Sequence, residues 1–118
     1  MKKNAPIENF YDREYRFLHN EMFQDVSALC DAVKTYRIKE IKTRLFPKNT
    51  DSYIGAVQEL EDVKNKIWLC KLHYAAAVAK AQEYYARNHH HFVACKDYLD
   101  PHEIDVETVI DNCIEDAF

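Results

Sequence analysis

The sequence has 118 residues, the length of one compact domain that can bury about two-thirds of the surface of its unfolded chain. Hydrophobic residues make up 47% of it and charged residues 31%, which is typical of folded rather than disordered chains. The net charge of −4 disfavours nucleic acid as the main partner, because phosphate repels an acidic protein at long range. We expect a single domain, 1–118, with 1–6 disordered.

Glycine is scarce, since Gly55 is the one glycine in the chain. Tight β-hairpin turns need residues that accept positive φ, so a multi-stranded fold would lack its turns. The same scarcity excludes the glycine-rich loops that bind nucleotide phosphates. We therefore predict an all-α fold: an antiparallel helical bundle with a long central helical hairpin and a short C-terminal helix.

The first predicted helix opens after Pro6 and ends at Pro47, because proline cannot continue the helical hydrogen bonds. Its apolar residues change register past the middle of the segment. This change predicts a bend or break from Thr35 to Arg37.

The second helix is predicted to start with Asp51 or Ser52 as its N-cap. Nine apolar or aromatic residues then follow at alternating spacings of four and three: Ala56, Leu60, Val63, Ile67, Cys70, Tyr74, Ala77, Ala81 and Tyr84. This seam predicts a partner helix packed at a shallow angle. Further apolar residues widen the face and predict a second neighbour: Trp68, Leu72, Ala76 and Ala79.

The last helix is signalled by "DPHE" at 100–103. Asp100 is a suitable N-cap, Pro101 suits the first helical position, and Glu103 completes a capping box. We expect the C-terminal helix to begin there.

Three consecutive histidines, His89, His90 and His91, raise the question of a metal site. Cys70 with His73, and His91 with Cys95, have zinc-ligand types at helical spacings. The two pairs are separated by about 27 Å if the segment is one helix, so we predict no intrachain metal site and no cofactor. The histidine run alone could bind metal only between molecules, because neighbouring helical side chains point about 100° apart.

The stretch "RNHHHF", from Arg87 to Phe92, resembles the motif of HEPN ribonucleases, small helical bundles in which an arginine precedes a histidine. The resemblance implies RNA cleavage with Arg87 and one of the three histidines in the active site. Three residues separate Arg87 from His91 here, a shorter interval than in that family. The alternative is a solvated helix face or helix break, after which Phe92 and Val93 resume the core.

Charge is segregated along the chain. Segment 34–48 has one acidic residue, Glu40, and six basic ones: Lys34, Arg37, Lys39, Lys42, Arg44 and Lys48. Segment 97–118 has eight acidic residues and no lysine or arginine. The basic segment could bind nucleic acid, with Tyr36 and Phe46 as stacking groups, or acidic protein surfaces, including the C-terminal helix within the molecule or of a second copy.

We predict a non-enzymatic protein-protein interaction module, such as an adaptor, an assembly chaperone, or a virus- or mobile-element-encoded inhibitor of a host complex. The predicted interaction residues are Lys34, Arg37, Lys39, Lys42 and Arg44, with Phe10 and Tyr11 as exposed aromatics near the N-terminus. We expect a homodimer in which helical seams supply much of the interface. The alternatives are a nucleic-acid-binding module that uses 34–48 and a divergent HEPN-like ribonuclease.

The expected location is the cytoplasm, without entry into a membrane. No apolar segment near the N-terminus is long enough for a secretory signal, and the longest apolar run, 74–79, is too short to span a bilayer. Four cysteines in such a chain are expected to be reduced thiols.

Overall fold

The computed structural model describes residues 7–116, and the expected disorder of 1–6 lies outside this range. Three α-helices follow in order: α1 Phe10–Thr43, α2 Asp51–Asn88 and α3 Val106–Asp116. Two short 3-10 turns, His89–His91 and Pro101–Glu103, lie between α2 and α3. No strand occurs within 7–116, and the predicted all-α bundle with its long hairpin and short last helix is confirmed.

The seam of α2 packs against α1 of the same chain, with the two helices antiparallel. No seam residue is exposed. Four of them, Cys70, Tyr74, Ala77 and Ala81, are buried, and the other five are partly buried. Because α1 already occupies this seam, it cannot form a dimer interface unless the hairpin opens. The homodimer stays a prediction and requires another surface.

The hairpin differs from the prediction in the middle of the predicted first helix and where the two helices end and begin. The prediction of a bend or break from Thr35 to Arg37 is wrong as to the break, because the first helix is continuous there. The change of apolar register instead turns residues such as Ile38 towards solvent. This helix ends at Thr43, and α2 is capped by Thr50, whose Oγ1 accepts from the Tyr53 N–H at 3.2 Å.

The predicted start of the last helix forms a separate turn. Asp100 accepts a hydrogen bond from the His102 N–H at 2.9 Å and caps the 3-10 turn Pro101–Glu103, after which Ile104 is extended. Asp105 then accepts from the Thr108 N–H at 3.3 Å at the start of α3. Two caps lie five residues apart, and the second one begins the α-helix.

The third helix covers only half of the hairpin. Val106 and Val109 pack against the core around Tyr15, and Ile114 packs against the core around Leu29. We call the part that α3 covers the body, and the remaining hairpin, 34–69, the arm. Within the arm, Thr43 is the one buried residue.

The molecule is elongated as a result, with principal extents of 67 × 34 × 21 Å. Among the helices that the structure describes, none combines the length and apolar composition needed to cross a membrane.

Candidate interaction surface

The arm exposes large apolar side chains because no third helix covers it. Eight of them are between 41% and 78% exposed: Ile38, Ile41, Leu45, Phe46, Ile54, Val57, Trp68 and Leu69. Ile38 and Ile41 are three residues apart and share one side of α1, and Leu45 follows in the turn just past the end of this helix. Helices in globular proteins gain most of their stability by burying such faces, so this one lacks a partner in the described part of the chain.

Two open clefts lie at the tip of the arm, and Phe46 lines both of them. A cleft of about 310 Å³ includes Arg44, Lys48 and Tyr53 in its lining. The other cleft, of about 320 Å³, includes Lys42 and Leu45. The tip therefore combines apolar side chains with basic groups around them.

The predicted basic residues divide into paired and unpaired groups. Arg37 and Arg44 both contact Glu40, at 3.4 and 3.6 Å. The Lys39 Nζ atom lies 3.1 Å from Glu59 Oε2 and so joins α1 to α2. Lys34 and Lys42 are exposed and make no ion pair with the described residues. These two, with Lys48 at the tip, are the charges that a partner could use.

Phe10 and Tyr11 do not join this surface. They lie at the opposite end of α1, about 50 Å from the arm tip at 1.5 Å per residue. Phe10 is exposed, but Tyr11 is half-buried and its ring stacks on His91 at 4.5 Å. The structure therefore separates the aromatic residues from the basic residues of the predicted interaction site.

The histidine run forms the 3-10 turn that follows α2. His89 Nδ1 lies 2.8 Å from the Tyr85 carbonyl oxygen, and the Asn9 side-chain amide donates to the His91 carbonyl at 2.8 Å. Phe92 resumes the core as predicted, whereas Val93 is 41% exposed. Across residues 7–116, no three His, Cys, Asp or Glu side chains are grouped to bind a metal ion.

Arg87, the arginine of the ribonuclease-like motif, is exposed. Its Nη2 atom lies 2.9 Å from Glu83 Oε1, one helical turn earlier. In the described structure, no hydrogen bond or ion pair joins Arg87 to a histidine. The ribonuclease hypothesis stays a prediction.

An apolar cleft of about 220 Å³ in the body was not anticipated from the sequence. One wall is α1, with Tyr15, His19 and Phe23, and another is the loop that contains Leu99 and Ile104. Burial lowers the pKa of His19 and raises the pKa of the Tyr15 hydroxyl, so both groups are neutral at pH 7. The lining is uncharged and suits an apolar side chain.

The loop beside this cleft is acidic. Segment 97–105 has no lysine or arginine and has four carboxylates: Asp97, Asp100, Glu103 and Asp105. Asp100 and Asp105 cap the 3-10 turn and α3, and Asp97, Glu103 and Asp105 are exposed. The sequence showed this charge, but the cleft arises only because the loop folds back onto α1.

Asp12 is a further residue that the sequence analysis missed. It is fully buried and accepts hydrogen bonds from the N–H groups of Val93 and Cys95, both at 3.0 Å. It also forms a capping box with Asn9, and the spacing of these two residues was the one signal available in the sequence. Asp12 therefore fixes the loop after α2 to the start of α1.

No protein-family model matches this sequence, and no curated protein and no solved structure matches it either.

Proposed function

We propose that the chain is a non-enzymatic interaction module that binds a protein partner through its arm. The observation that carries this proposal is the row Ile38, Ile41 and Leu45, which is 54% to 78% exposed on a two-helix segment with almost no buried residue. Exposed apolar patches surrounded by polar groups are typical of protein interaction sites. Burial of such side chains contributes about 25 cal/mol per Å² of apolar surface removed from water.

The arm favours a partner with an apolar surface and acidic groups around it. Leu45 and Phe46 supply apolar anchors at the tip, and Lys42 and Lys48 lie next to them. Complementary charges at the edge of an interface mainly speed association and exclude wrong partners, whereas buried apolar anchors supply most of the affinity. An adaptor, an assembly chaperone or an inhibitor of a protein complex would each use such a surface.

Two observations favour a protein partner over nucleic acid. The exposed apolar side chains of α1 in the arm, Ile38 and Ile41, are aliphatic, whereas single-stranded nucleic acid is bound by aromatic stacking. Arg37, Lys39 and Arg44 already contact Glu40 or Glu59, so fewer basic groups are available for phosphates.

The test is affinity capture of partners from cells of the native host with wild type and two variants. The double variant Ile41→Glu, Leu45→Glu should lose its partner, because it places charges where apolar contact is needed. The control Phe17→Glu changes an equally exposed apolar residue on the body and should retain the partner. Capture should be unchanged by nuclease treatment.

The nucleic-acid alternative makes the opposite prediction. Under this alternative, the protein binds single-stranded or duplex oligonucleotides with micromolar or tighter Kd at about 150 mM salt, and changing Lys42 and Lys48 to Glu abolishes the binding. This result would replace the protein-partner proposal. Fluorescence anisotropy at two salt concentrations measures this directly.

A further inference from the structure

The arm and the body of one chain have complementary surfaces. The arm tip has exposed apolar side chains and basic groups, and the body has an apolar cleft beside an acidic loop. Leu45, which is 78% exposed, is the most exposed apolar side chain of the arm. A cavity of about 150 Å³ can hold a benzene molecule, so the cleft of about 220 Å³ has room for one leucine side chain.

One edge of the cleft lies on the same side of α1 as the exposed arm residue Ile41. Phe23, which lines the cleft, and Ile41 are 18 residues apart, which corresponds to five turns at 3.6 residues per turn. Leu45 follows Ile41 by four residues, in the turn just past the end of α1. A flat approach of another molecule can therefore contact the cleft and the arm together.

The two surfaces cannot meet within one chain. Met22, on the α1 wall of the cleft, and Leu45, just past the end of α1, are separated by about 35 Å at 1.5 Å per residue. A second copy in antiparallel orientation removes this separation, because its arm then lies beside the cleft of the first copy. The midpoint between Met22 and Leu45 falls near Val33 and Lys34, and a two-fold axis there makes both contacts at once.

We propose that two copies form an antiparallel two-fold dimer in which Leu45 of each copy enters the body cleft of the other. The basic groups Lys42 and Lys48 then lie near the acidic loop, with Asp97 and Glu103 as its freely exposed carboxylates. This inference rests on the proposed function, since it names a second copy as one partner of the arm. Two identical contacts close the assembly, so growth stops at the dimer.

A charge exchange tests the pairing of arm with body. The arm variant carries Lys42→Glu and Lys48→Glu, and the body variant carries Asp97→Lys and Glu103→Lys. All four residues are exposed, so both variants should fold, which circular dichroism checks. Each variant alone places like charges at both contacts and should raise the dimer Kd about tenfold or more.

An equimolar mixture of the two variants should restore the dimer. In the mixed pair, the acidic arm of one copy faces the basic loop of the other, and the remaining contact keeps its wild-type charges. The control Lys64→Glu, an exposed lysine of α2 that lines neither the arm tip nor the body cleft, should leave the dimer unchanged. Sedimentation equilibrium measures all of these Kd values.

The outcomes separate this inference from the proposed function. Wild type that is monomeric at tens of micromolar, or that grows beyond a dimer, overturns the two-fold dimer. The dimer is also overturned if the equimolar mixture has a dimer Kd no lower than that of each variant alone. If the dimer is overturned but the Ile41→Glu, Leu45→Glu variant fails to capture another protein that wild type captures, the proposed function still holds. If this variant changes neither dimerisation nor capture, both fail.

Discussion

At the scale of single residues, Asp12 connects the two ends of the hairpin. Burial of its carboxylate raises its pKa, but the hydrogen bonds that it accepts from backbone N–H groups outweigh burial and lower the pKa to about 2. A carboxylate that folding makes more acidic stabilises the folded chain when it is ionised. Its contribution is complete above the unfolded pKa of about 3.9 and is lost as the pH falls towards 2.

Changing Asp12 to Asn should therefore lower the free energy of unfolding by about 2 to 3 kcal/mol at pH 7, because hydrogen bonds to a charged acceptor are lost. The difference from wild type should shrink as the pH falls below about 4, where wild type also loses the charge. Urea denaturation at pH 7, 4 and 3 measures this. The control Asp31→Asn, an exposed carboxylate of α1, should have little effect. A difference independent of pH would show that the charge of Asp12 is not what stabilises the loop.

Cys30 and Cys113 provide a direct test of how α3 is placed. Their Sγ atoms lie 2.7 Å apart, and the two cysteines are thiols rather than a disulfide. Oxidised glutathione should convert them to a disulfide by thiol exchange, with release of two molecules of reduced glutathione. Thiol titration of the unfolded product should then find two thiols instead of four.

The variant Cys30→Ser should not form this disulfide. Cys70 and Cys95 are buried and should remain thiols in both proteins. Loss of the same thiols in the Cys30→Ser variant, or no loss in wild type, would mean that α3 does not lie against α1 as described.

At the scale of the helices, α1 is divided into a half that carries the core and a half that does not. Leu29→Ala removes a fully buried side chain and should lower the free energy of unfolding by about 3 kcal/mol. Ile38→Ala changes a side chain that is 54% exposed and should cost less than about 1 kcal/mol. Chemical denaturation of both variants measures the contrast, and equal losses would mean that the arm is packed like the body.

The sequence predicted the helices better than their ends. The seam of α2 was readable because spacings of four and three have no other common explanation over nine positions. The ends were harder to predict because several neighbouring residues can each serve as a cap. Thr50 caps α2, rather than the predicted Asp51 or Ser52. The continuous path of α1 could not be predicted, because a change of apolar register has the same pattern whether a helix bends or simply exposes the shifted residues.

The candidate site was predicted only in part. The basic residues of 34–48 were visible in the sequence, but exposure of Ile38, Ile41 and Leu45 was not. Apolar residues at helical spacing predict a core, and they stay uncovered here because α3 has only 11 residues. The body cleft requires contacts between α1 and the loop 97–105, which no local pattern specifies.

At the scale of the whole molecule, the body and the arm should differ in local stability. Backbone amides of a helix pair with few buried side chains open more often than those of a packed core. Hydrogen exchange should therefore be faster in 36–67 than around Tyr15, Leu29 and Tyr74. Uniform protection along both helices would contradict this division.

Addition of a partner should slow exchange in the arm and leave the body core unchanged. In the dimer proposed above, the same protection should depend on protein concentration and disappear in the arm variant with Lys42→Glu and Lys48→Glu.

The short α3 has a consequence for how this protein can diverge. The outward residues of the arm pack against no core. Packing restricts the residue types only at the positions where α1 and α2 face each other. Substitutions at these positions can change what is bound without changing whether the chain folds. The arm can thus acquire new specificities by point mutation, much as surface loops do on a rigid scaffold, although it is built entirely from helix.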